Sequence, residues 1–508
     1  MAFGTMTSRI LGQLRESLLA AYFDKRVTDA WAAAFRMPNL FRRLLGEGSL
    51  SVSFIPVFVD AHLDSKVRAQ NVVNAVYSYL LVILGCLTAF GIFHPEPLLR
   101  LILDSSYRAD IEKFQMTLRL TKIMFGFVFF ISSYAFMMGI LNALGQFALP
   151  AIAPTLWNLC MILTTIMPKT WFTHLGDQLG WGVLIGGALQ ALLLLPALIR
   201  AGYLPHLSFD YKNRDFLKVI KNMAPGLMGM GLLQFTTIVN LRFASSLTEG
   251  TISYINYVDR LIELPLSLVS VSLGSALLPV LSGYLSQKRY ENFSETIQKY
   301  MQLNLLMTMV AAAGLFSLAH PIVQLLFGRG HFQASDVTTT SEILKTYCWI
   351  MVFSSGVRVL TPAYYAVKNT WFPAVVSAIC LVVHIIIAPI LMKEFLVRGL
   401  MLSTILSAFL NLSLLLIFMT KLVIAFDYKQ FFKSVVLFAI MSVMVGASSQ
   451  IFFIWKNFFA VSFIGLLLNL ILSIAVAVVV FLLAGKLLRV NLVNDILLTV
   501  QRKFLPRK

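Results

Sequence analysis

The stretch FAVSFIGLLLNLILSIAVAVVVFLLAG (residues 459–485) carries no charged side chain and is long enough to cross the hydrocarbon core of a bilayer as one helix. Apolar stretches of similar length recur along all 508 residues, of which 58% are hydrophobic and 13% charged. A soluble domain carries about twice that charged fraction. The alternation of apolar and polar residues typical of an outer-membrane barrel is absent from the sequence. These features predict an all-α integral membrane protein.

The sequence offers fourteen candidate transmembrane helices, and the first two of them are the least apolar. They lie near residues 3–23, 28–58, 71–93, 117–142, 148–168, 178–200, 220–244, 251–283, 300–325, 341–366, 372–392, 399–420, 433–455 and 459–485. Lysine and arginine are about twice as frequent in the loops of one side as in those of the other side, where Lys25, Arg26 and Lys113 fall. Because cytoplasmic loops collect basic residues, we predict that both termini are cytoplasmic. This topology accounts for the net charge of +18 without a nucleic-acid partner.

Two short matches at one offset indicate an internal repeat. ALGQFALPAI (143–152) matches AVKNTWFPAV (366–375), and SFIPVF (53–58) matches ALLPVL (276–281). Both matches align prolines, Pro150 with Pro373 and Pro56 with Pro279, at an offset of 223 residues. We therefore predict a six-helix lobe over 1–210, a parallel six-helix lobe over 211–430, and two extra helices with a basic tail over 431–508. Transporters commonly bind substrate between such repeats.

Basic residues inside the predicted helices are the candidate site. A charge at the bilayer centre costs about 2.5–3.5 kcal/mol on insertion scales, so deep arginines should face a water-filled cavity. The deep arginines are Arg9, Arg15, Arg42, Arg260 and Arg358. Guanidinium binds phosphate bidentately and stays charged at any working pH, so this set favours an anionic substrate over a cationic drug. Arg119, Lys122 and Lys345 fall near helix ends, where long side chains reach the headgroups.

Acidic and polar residues accompany these arginines in the same helices, and they leave a second interpretation open. They are Glu16, Asp29, Asn39, Glu47 and Glu263. Arg260 and Glu263, for example, are three residues apart and therefore neighbours on a helix surface. Internal ion pairs of this kind could serve only to hold the helices together. The excess of arginine over acid at the deep positions favours the binding interpretation.

Enzymatic motifs are missing from the sequence. It contains no HExxH, no Walker A sequence and no GxSxG, and the glycine-rich string FGRGHF (327–332) does not follow a strand. The four cysteines lack metal-ligand spacing. We therefore predict a transporter with no catalytic residue, cofactor or metal, and with no soluble domain that could hydrolyse ATP.

At several of these positions the sequence resembles the MurJ/MviN family of lipid II flippases, within the multidrug/oligosaccharidyl-lipid/polysaccharide exporter superfamily. The motifs that carry the resemblance are SRILGQLRE (8–16), TDAWAAAFRMPNLFRRLLGEGSLSVSFIPVF (28–58), APTLWN (153–158), YVDRLIELP (257–265), GSALLPVLS (274–282) and LLFGRGHF (325–332). The resemblance implies fourteen helices, two six-helix lobes in a V shape, a central cationic cavity, and a groove along the last two helices for a polyprenyl tail.

The resemblance also implies a function and a set of site residues. The substrate would be lipid II, the undecaprenyl-diphosphate-linked peptidoglycan precursor, flipped from the cytoplasmic to the periplasmic leaflet of the bacterial inner membrane. Cell-wall synthesis enzymes would be possible partners. The family's functional arginines and acids fall here on Arg9, Arg15, Arg42, Arg260, Asp29 and Glu47. Arg15, Arg42 and Arg260 would clamp the diphosphate, with Arg9 and Arg358 as supporting charges.

The sequence departs from the family pattern at two places. Many relatives have Asp after the first-helix arginine, whereas this chain has Glu16. Where some relatives bind sodium through acids of the seventh and eleventh helices, this chain offers Asn240 and His384. We therefore expect the membrane potential to drive transport. The alternatives are a drug or organic-cation antiporter or a flippase for another polyprenyl-linked glycan on the same fold, a membrane transferase, and a scaffold for cell-wall assembly.

Overall fold

A computed structural model describes residues 2–44, 49–454 and 462–494, and these residues form helices joined by short connections without any β-strand. The helices that precede residue 250 are α1 (Ala2–Tyr22), α2 (Lys25–Phe41), α3 (Ser49–Asp64), α4 (Lys66–Phe93), α5 (Pro95–Ile102), α6 (Ser105–Ala109), α7 (Ile111–Ala143), α8 (Ala148–Ile166), α9 (Asp177–Ala201) and α10 (Arg214–Ser245). Side-chain caps fix several starts: Asp24 accepts from the Val27 amide at 2.9 Å, and Ser65 accepts from the Arg68 amide at 3.2 Å.

The helices that follow are α11 (Thr251–Leu266), α12 (Ser272–Ser286), α13 (Tyr290–Ser317), α14 (Ala319–Phe327), α15 (Ala334–Tyr347), α16 (Ile350–Ala366), α17 (Trp371–Leu422), α18 (Tyr428–Ser449), α19 (Ile451–Ile454) and α20 (Phe463–Leu487). A π-helical segment, Ser267–Val271, joins α11 to α12 directly after Pro265. The missing amide proton of a proline removes one intrahelical hydrogen bond, which accounts for the altered winding there.

Eight helices of the described residues are long and apolar enough to span a membrane, and α15 with α16, bent by 42°, would make a ninth. The 52-residue α17 contains a break at Leu396, whose φ is 49° and ψ −125°. His384 and Ser403 are hydrogen-bonded at 2.8 Å across this break, and the Ser407 hydroxyl donates to the Cys380 carbonyl at 2.9 Å. These bonds show that α17 is a hairpin of two antiparallel segments. The predicted total of fourteen spans stays a prediction.

The predicted second span, residues 28–58, was wrong as one continuous helix because it divides into α2 and α3. Pro38 lies inside α2, and residues 42–44 after it have π-helical geometry. The Arg42 amide donates to the carbonyls of both Asn39 and Pro38 as α2 ends. The proline therefore changes the winding of the chain within the segment that carries the candidate arginines.

The chain packs as two compact units. The first comprises Met1–Ser253 with Arg329–Phe332, and the second comprises Tyr254–Gly328 with Gln333–Lys508. In the first unit the largely buried α7 packs against α2, α4 and α9, and a Cβ atom on Gly187 of α9 would lie 2.5 Å from the Phe127 ring. Small residues of this kind allow membrane helices to approach closely. Helix α10 belongs to the first unit by its contacts, whereas the lobe boundary near residue 210 describes the sequence repeat and stays a prediction.

The offset of 223 residues recurs in the helix boundaries. Helices α3 and α12 begin at Ser49 and Ser272, and α8 and α17 begin at Ala148 and Trp371. The long α7 spans 111–143, and its counterpart, α15 with α16, spans 334–366. The paired prolines thus occupy the same position in matching helices. The repeat holds for the succession of helices as well as for the sequence.

Candidate substrate-binding site

Arg15 of α1 lies in a buried polar cluster and is only 2% exposed. Its guanidinium is ion-paired with the adjacent Glu16, donates to the Asn158 side chain at 3.0 Å, and lies 4.5 Å above the Trp157 ring. A buried guanidinium is stable only where carboxylate, hydrogen-bond acceptors and an aromatic face replace its water. The cluster supplies all three.

Helix α8 holds this cluster against α1. The Asn158 amide donates to the Ser8 carbonyl at 2.9 Å, so one side chain contacts two turns of α1. Gly12 allows the approach, because a Cβ there would lie 3.7 Å from the Asn158 oxygen. Sequence analysis did not name Trp157 and Asn158 as site residues, although both end the motif APTLWN. An asparagine and a tryptophan within an apolar span were the available signal.

The other candidate residues of the first unit lie near the two ends of their helices. Arg42 is half-buried at the end of α2, where its Nε donates to the Asn39 side chain at 2.9 Å. Asn39 is thus part of the same polar group, as its spacing predicted. Arg9 is half-buried on α1, closer to its N-terminus than Arg15. Glu47 lies outside the described residues.

The second unit contributes two arginines. Arg260 of α11 is partly exposed, and its guanidinium lies 3.4 Å from the Glu263 carboxylate one turn later. Arg358 of α16 is exposed, and a Cβ on Gly274 of α12 would lie 2.9 Å from its backbone carbonyl oxygen. The predicted pairing of Arg260 with Glu263 is present. These two residues each belong to the second unit, as Arg9, Arg15 and Arg42 belong to the first.

Asp29 of α2 is 1% exposed and accepts four hydrogen bonds. One carboxylate oxygen accepts from the Lys113 ammonium at 3.0 Å and from the Gly250 amide at 2.7 Å. The other accepts from the amide of Ser253 at 2.8 Å and from its hydroxyl at 2.9 Å. Gly250 and Ser253 flank the start of α11, whose first amides would otherwise lack partners. Asp29 therefore caps this helix from α2.

Lys113 corrects one expectation of the sequence analysis, which placed it in an outer loop. It lies in the first turn of α7, buried against Asp29, with its ammonium 4.7 Å from the centre of the Tyr107 ring. Arg26 was likewise expected in a loop but lies in α2, where it is paired with Asp110, Glu112 and Glu249. Hydropathy missed both because a short connection and a helix start look alike when they are polar.

Two further polar residues hold helices together. Arg119, expected near a helix end, is ion-paired with Asp177 at 2.7 Å between α7 and α9. His384 is buried and bonded to Ser403 across the α17 hairpin. The structure therefore gives His384 a packing role in α17, and the coupling ion stays a matter of prediction.

The sequence and the fold both match known proteins. A family model described as lipid II flippase MurJ matches residues 19–469. The chain is 54% identical to a probable lipid II flippase MurJ of Bdellovibrio bacteriovorus over 418 residues, which cover 82% of this chain and 80% of the relative.

Two solved structures resemble this one. A structure of lipid II flippase MurJ in an inward closed conformation has a TM-score of 0.79 and 25% identity, covering 96% of this chain and 98% of that chain. An inward-facing multidrug resistance MATE family transporter of the MOP superfamily has a TM-score of 0.67 and 13% identity, covering 80% of this chain and 92% of that chain. The second likeness concerns the fold alone.

Proposed function

This chain belongs to the family of the lipid II flippase MurJ, and we propose that it flips lipid II from the cytoplasmic to the periplasmic leaflet by alternating access. Proteins of this family are membrane transporters and not enzymes, and their substrate is a precursor of peptidoglycan. The finer proposal concerns the residues that hold the substrate. Arg15, Arg42 and Arg260 bind the diphosphate, and Arg9 and Arg358 add positive charge around it.

The observation that carries this proposal is the position of the acidic partners. Glu16 is adjacent to Arg15, and Glu263 is one turn from Arg260, so each of these ion pairs lies within a single helix. An ion pair within one helix does not fasten that helix to a neighbour. The structural interpretation, in which such pairs only hold helices together, is therefore weak for both arginines. A carboxylate that keeps a guanidinium charged and oriented until phosphate replaces it suits a binding site better.

The exchange of carboxylate for phosphate needs no proton transfer. Guanidinium remains charged throughout, and its planar fork matches two oxygens of a diphosphate as well as it matches a carboxylate. Asn39 accepts from the Nε of Arg42 and so orients the plane of that guanidinium. Asp29 serves a different purpose in this proposal, because its four hydrogen bonds hold α2 and the start of α11 in a fixed arrangement.

The polyprenyl tail requires an apolar surface, and the last two described long helices provide one. Helices α18 and α20 pack against each other, and α20 exposes Ile464, Ile471, Val479 and Leu483. We assign the tail to this pair of helices, in keeping with the two extra helices beyond the repeat.

Replacement of the three arginines tests the clamp. Arg15→Ala, Arg42→Ala and Arg260→Ala should each abolish rescue of cells depleted of their lipid II flippase, while the protein still inserts in the membrane. Arg100→Ala is the matched control, because Arg100 also pairs with an acid of its own helix, Glu96 at 2.6 Å, but lies on α5 outside the proposed site. Rescue should remain normal for the control.

Normal rescue by two of the three variants would contradict the clamp. An assay for efflux of a cationic dye separates this function from that of a drug antiporter on the same fold. A flippase with arginines around its substrate should not export the dye, and efflux that depends on Arg15 would favour the antiporter.

A further inference from the structure

An extended segment joins α9 to α10 and lies along α4. In this segment, the connecting strap (residues 203–209), backbone groups bond to side chains of α4 in order along both chains. The Gln70 amide donates to the Leu204 carbonyl at 2.7 Å, the His206 amide to Asn74 at 2.8 Å, and the Ser208 amide to Ser78 at 2.7 Å. Residues 70, 74 and 78 lie on one face of a helix. The strap is therefore fixed to α4 over about 12 Å of its length.

The sequence of α4 places this strap at the level of the lipid headgroups. With 28 residues, α4 is about 42 Å long, whereas the hydrocarbon core is about 30 Å thick. Its polar residues are concentrated in its first nine positions: Lys66, Arg68, Gln70, Asn71 and Asn74. The apolar remainder is sufficient to cross the core. The polar end, with the strap bound to it, therefore lies at the membrane surface.

The strap presents apolar side chains away from α4. Leu207 is 73% exposed, Phe209 53% and Tyr211 62%. Every second residue of an extended chain points to the same side, so the spacing of these three residues defines one apolar edge. Aromatic residues are enriched at this depth of the bilayer, where an apolar ring and a polar environment coexist. In water the same edge would be unfavourable.

A cavity of about 450 Å³ opens beside this edge, and a lysine and a histidine contribute to its lining. It is lined by Lys66, Val67, Gln70, Asn71, Gly202, Leu204 and His206. The Lys66 ammonium lies 5.8 Å from the centre of the buried Tyr203 ring. Gly202 has a φ of +76°, and a Cβ there would lie 2.5 Å from the Lys66 nitrogen, so the glycine makes room for the lysine.

The nearby acids are engaged elsewhere. Arg68 binds Asp215 through two nitrogens at 2.8 Å and Asp64 at 3.3 Å. These carboxylates are therefore neutralised without Lys66. The cavity keeps a positive charge next to an apolar edge, a combination that suits an amphiphilic anion better than a soluble one.

We propose that this cavity binds the phosphodiester headgroup of an anionic phospholipid, with Lys66 at the phosphate and with Leu207 and Phe209 against the upper acyl chains. This site is distinct from the arginine clamp and takes a lipid that is not transported. Since the strap is the direct link from α9 to α10, a bound lipid fixes the connection between the two repeats. The inference does not depend on which substrate the protein moves.

Binding of a defined lipid to the purified full chain tests the site. Phosphatidylglycerol is titrated into the protein in detergent, and retained lipid is counted by native mass spectrometry, with phosphatidylcholine as the zwitterionic comparison. Loss of one lysine near an anionic lipid should weaken binding about fivefold, so Lys66→Gln should bind phosphatidylglycerol about fivefold more weakly. Lys66→Arg should retain binding. Lys429→Gln, at an exposed lysine of α18, should leave binding unchanged.

A double variant, Leu207→Ser with Phe209→Ser, separates a lipid from a free anion. It should weaken phosphatidylglycerol binding and leave the weaker binding of inorganic phosphate unaffected. Equal binding of phosphatidylcholine, equal losses in Lys66→Gln and Lys429→Gln, or inorganic phosphate bound as tightly as the lipid would each overturn the proposal. Thermal unfolding of every variant distinguishes lost binding from lost folding.

Discussion

The two units use different chemistry at the same position of the repeat. In the first unit the buried Lys113 of α7 forms an ion pair with Asp29 of α2 at 3.0 Å. At an offset of 223 residues, α15 of the second unit carries Asp336, and this buried carboxylate accepts from the Tyr254 hydroxyl of α11 at 2.6 Å. The matching helices are thus joined by an ion pair in one unit and by a neutral donor with a carboxylate in the other.

The difference shows which features of a repeat are shared. The residues that begin α7 and α15, Asp110 and Gln333, both provide N-caps at the same offset, so the backbone register is common to the two units. The charges of the buried contact are not common. Asp336 also accepts from the amide of Gln333 at 2.8 Å, so its charge is stabilised within its own helix start. Asp29 depends on groups from three other segments of the chain.

The largest effect on stability should follow removal of Lys113. The variant Lys113→Met leaves the buried Asp29 carboxylate without its cation, and breaking a buried pair in this way costs about 3–5 kcal/mol. We expect the largest decrease in thermal unfolding temperature of the purified protein, with loss of rescue in depleted cells.

The double variant Asp29→Asn with Lys113→Met distinguishes a lost ion pair from lost packing. Removing both charges should restore part of the stability, because no buried carboxylate is left unpaired. A double variant that is less stable than Lys113→Met would show that the lysine acts through its packing on Tyr107 instead.

A smaller effect is expected at the matching contact of the second unit. Tyr254→Phe removes one hydrogen bond to Asp336 but leaves the bond from the Gln333 amide in place. A hydrogen bond to a charged group contributes about 1.5–3 kcal/mol, so the unfolding temperature should fall less than in Lys113→Met. Equal decreases in the two variants would contradict the distinction drawn between the units.

The sequence alone was sufficient for the class of fold and for the repeat. Apolar length predicted the long helices, and the aligned pairs Pro56 with Pro279 and Pro150 with Pro373 predicted an offset that the helix boundaries share. It was not sufficient for the division of residues 28–58 into α2 and α3. A proline inside a membrane helix is compatible with either a kink or an end, and neighbouring helices decide which occurs.

The candidate site was predictable in its arginines but not in their partners. Neighbours along a helix, such as Arg260 and Glu263, follow from spacing alone. Contacts between distant segments, such as Arg15 with Asn158 or Asp29 with Lys113, depend on helix packing that one sequence does not specify. Lys113 was therefore counted as a loop charge, although a buried lysine at a helix start requires an acid nearby.

The smallest effect should come from Arg26, which lies at the partly exposed end of the same α2–α7 contact. It faces three carboxylates, at 2.7 Å from Asp110, 3.1 Å from Glu112 and 3.4 Å from Glu249. Exposed ion pairs contribute about 0–1 kcal/mol and are screened by salt, whereas buried pairs are screened much less. Arg26→Gln should therefore lower the unfolding temperature slightly at low ionic strength, and the difference from the unmodified protein should vanish in about 1 M salt. The deficit of Lys113→Met should persist at both ionic strengths. If salt removed both deficits, the Asp29–Lys113 pair would be accessible to solvent, and the contrast between a charged contact in one unit and a neutral donor in the other would lose its energetic basis.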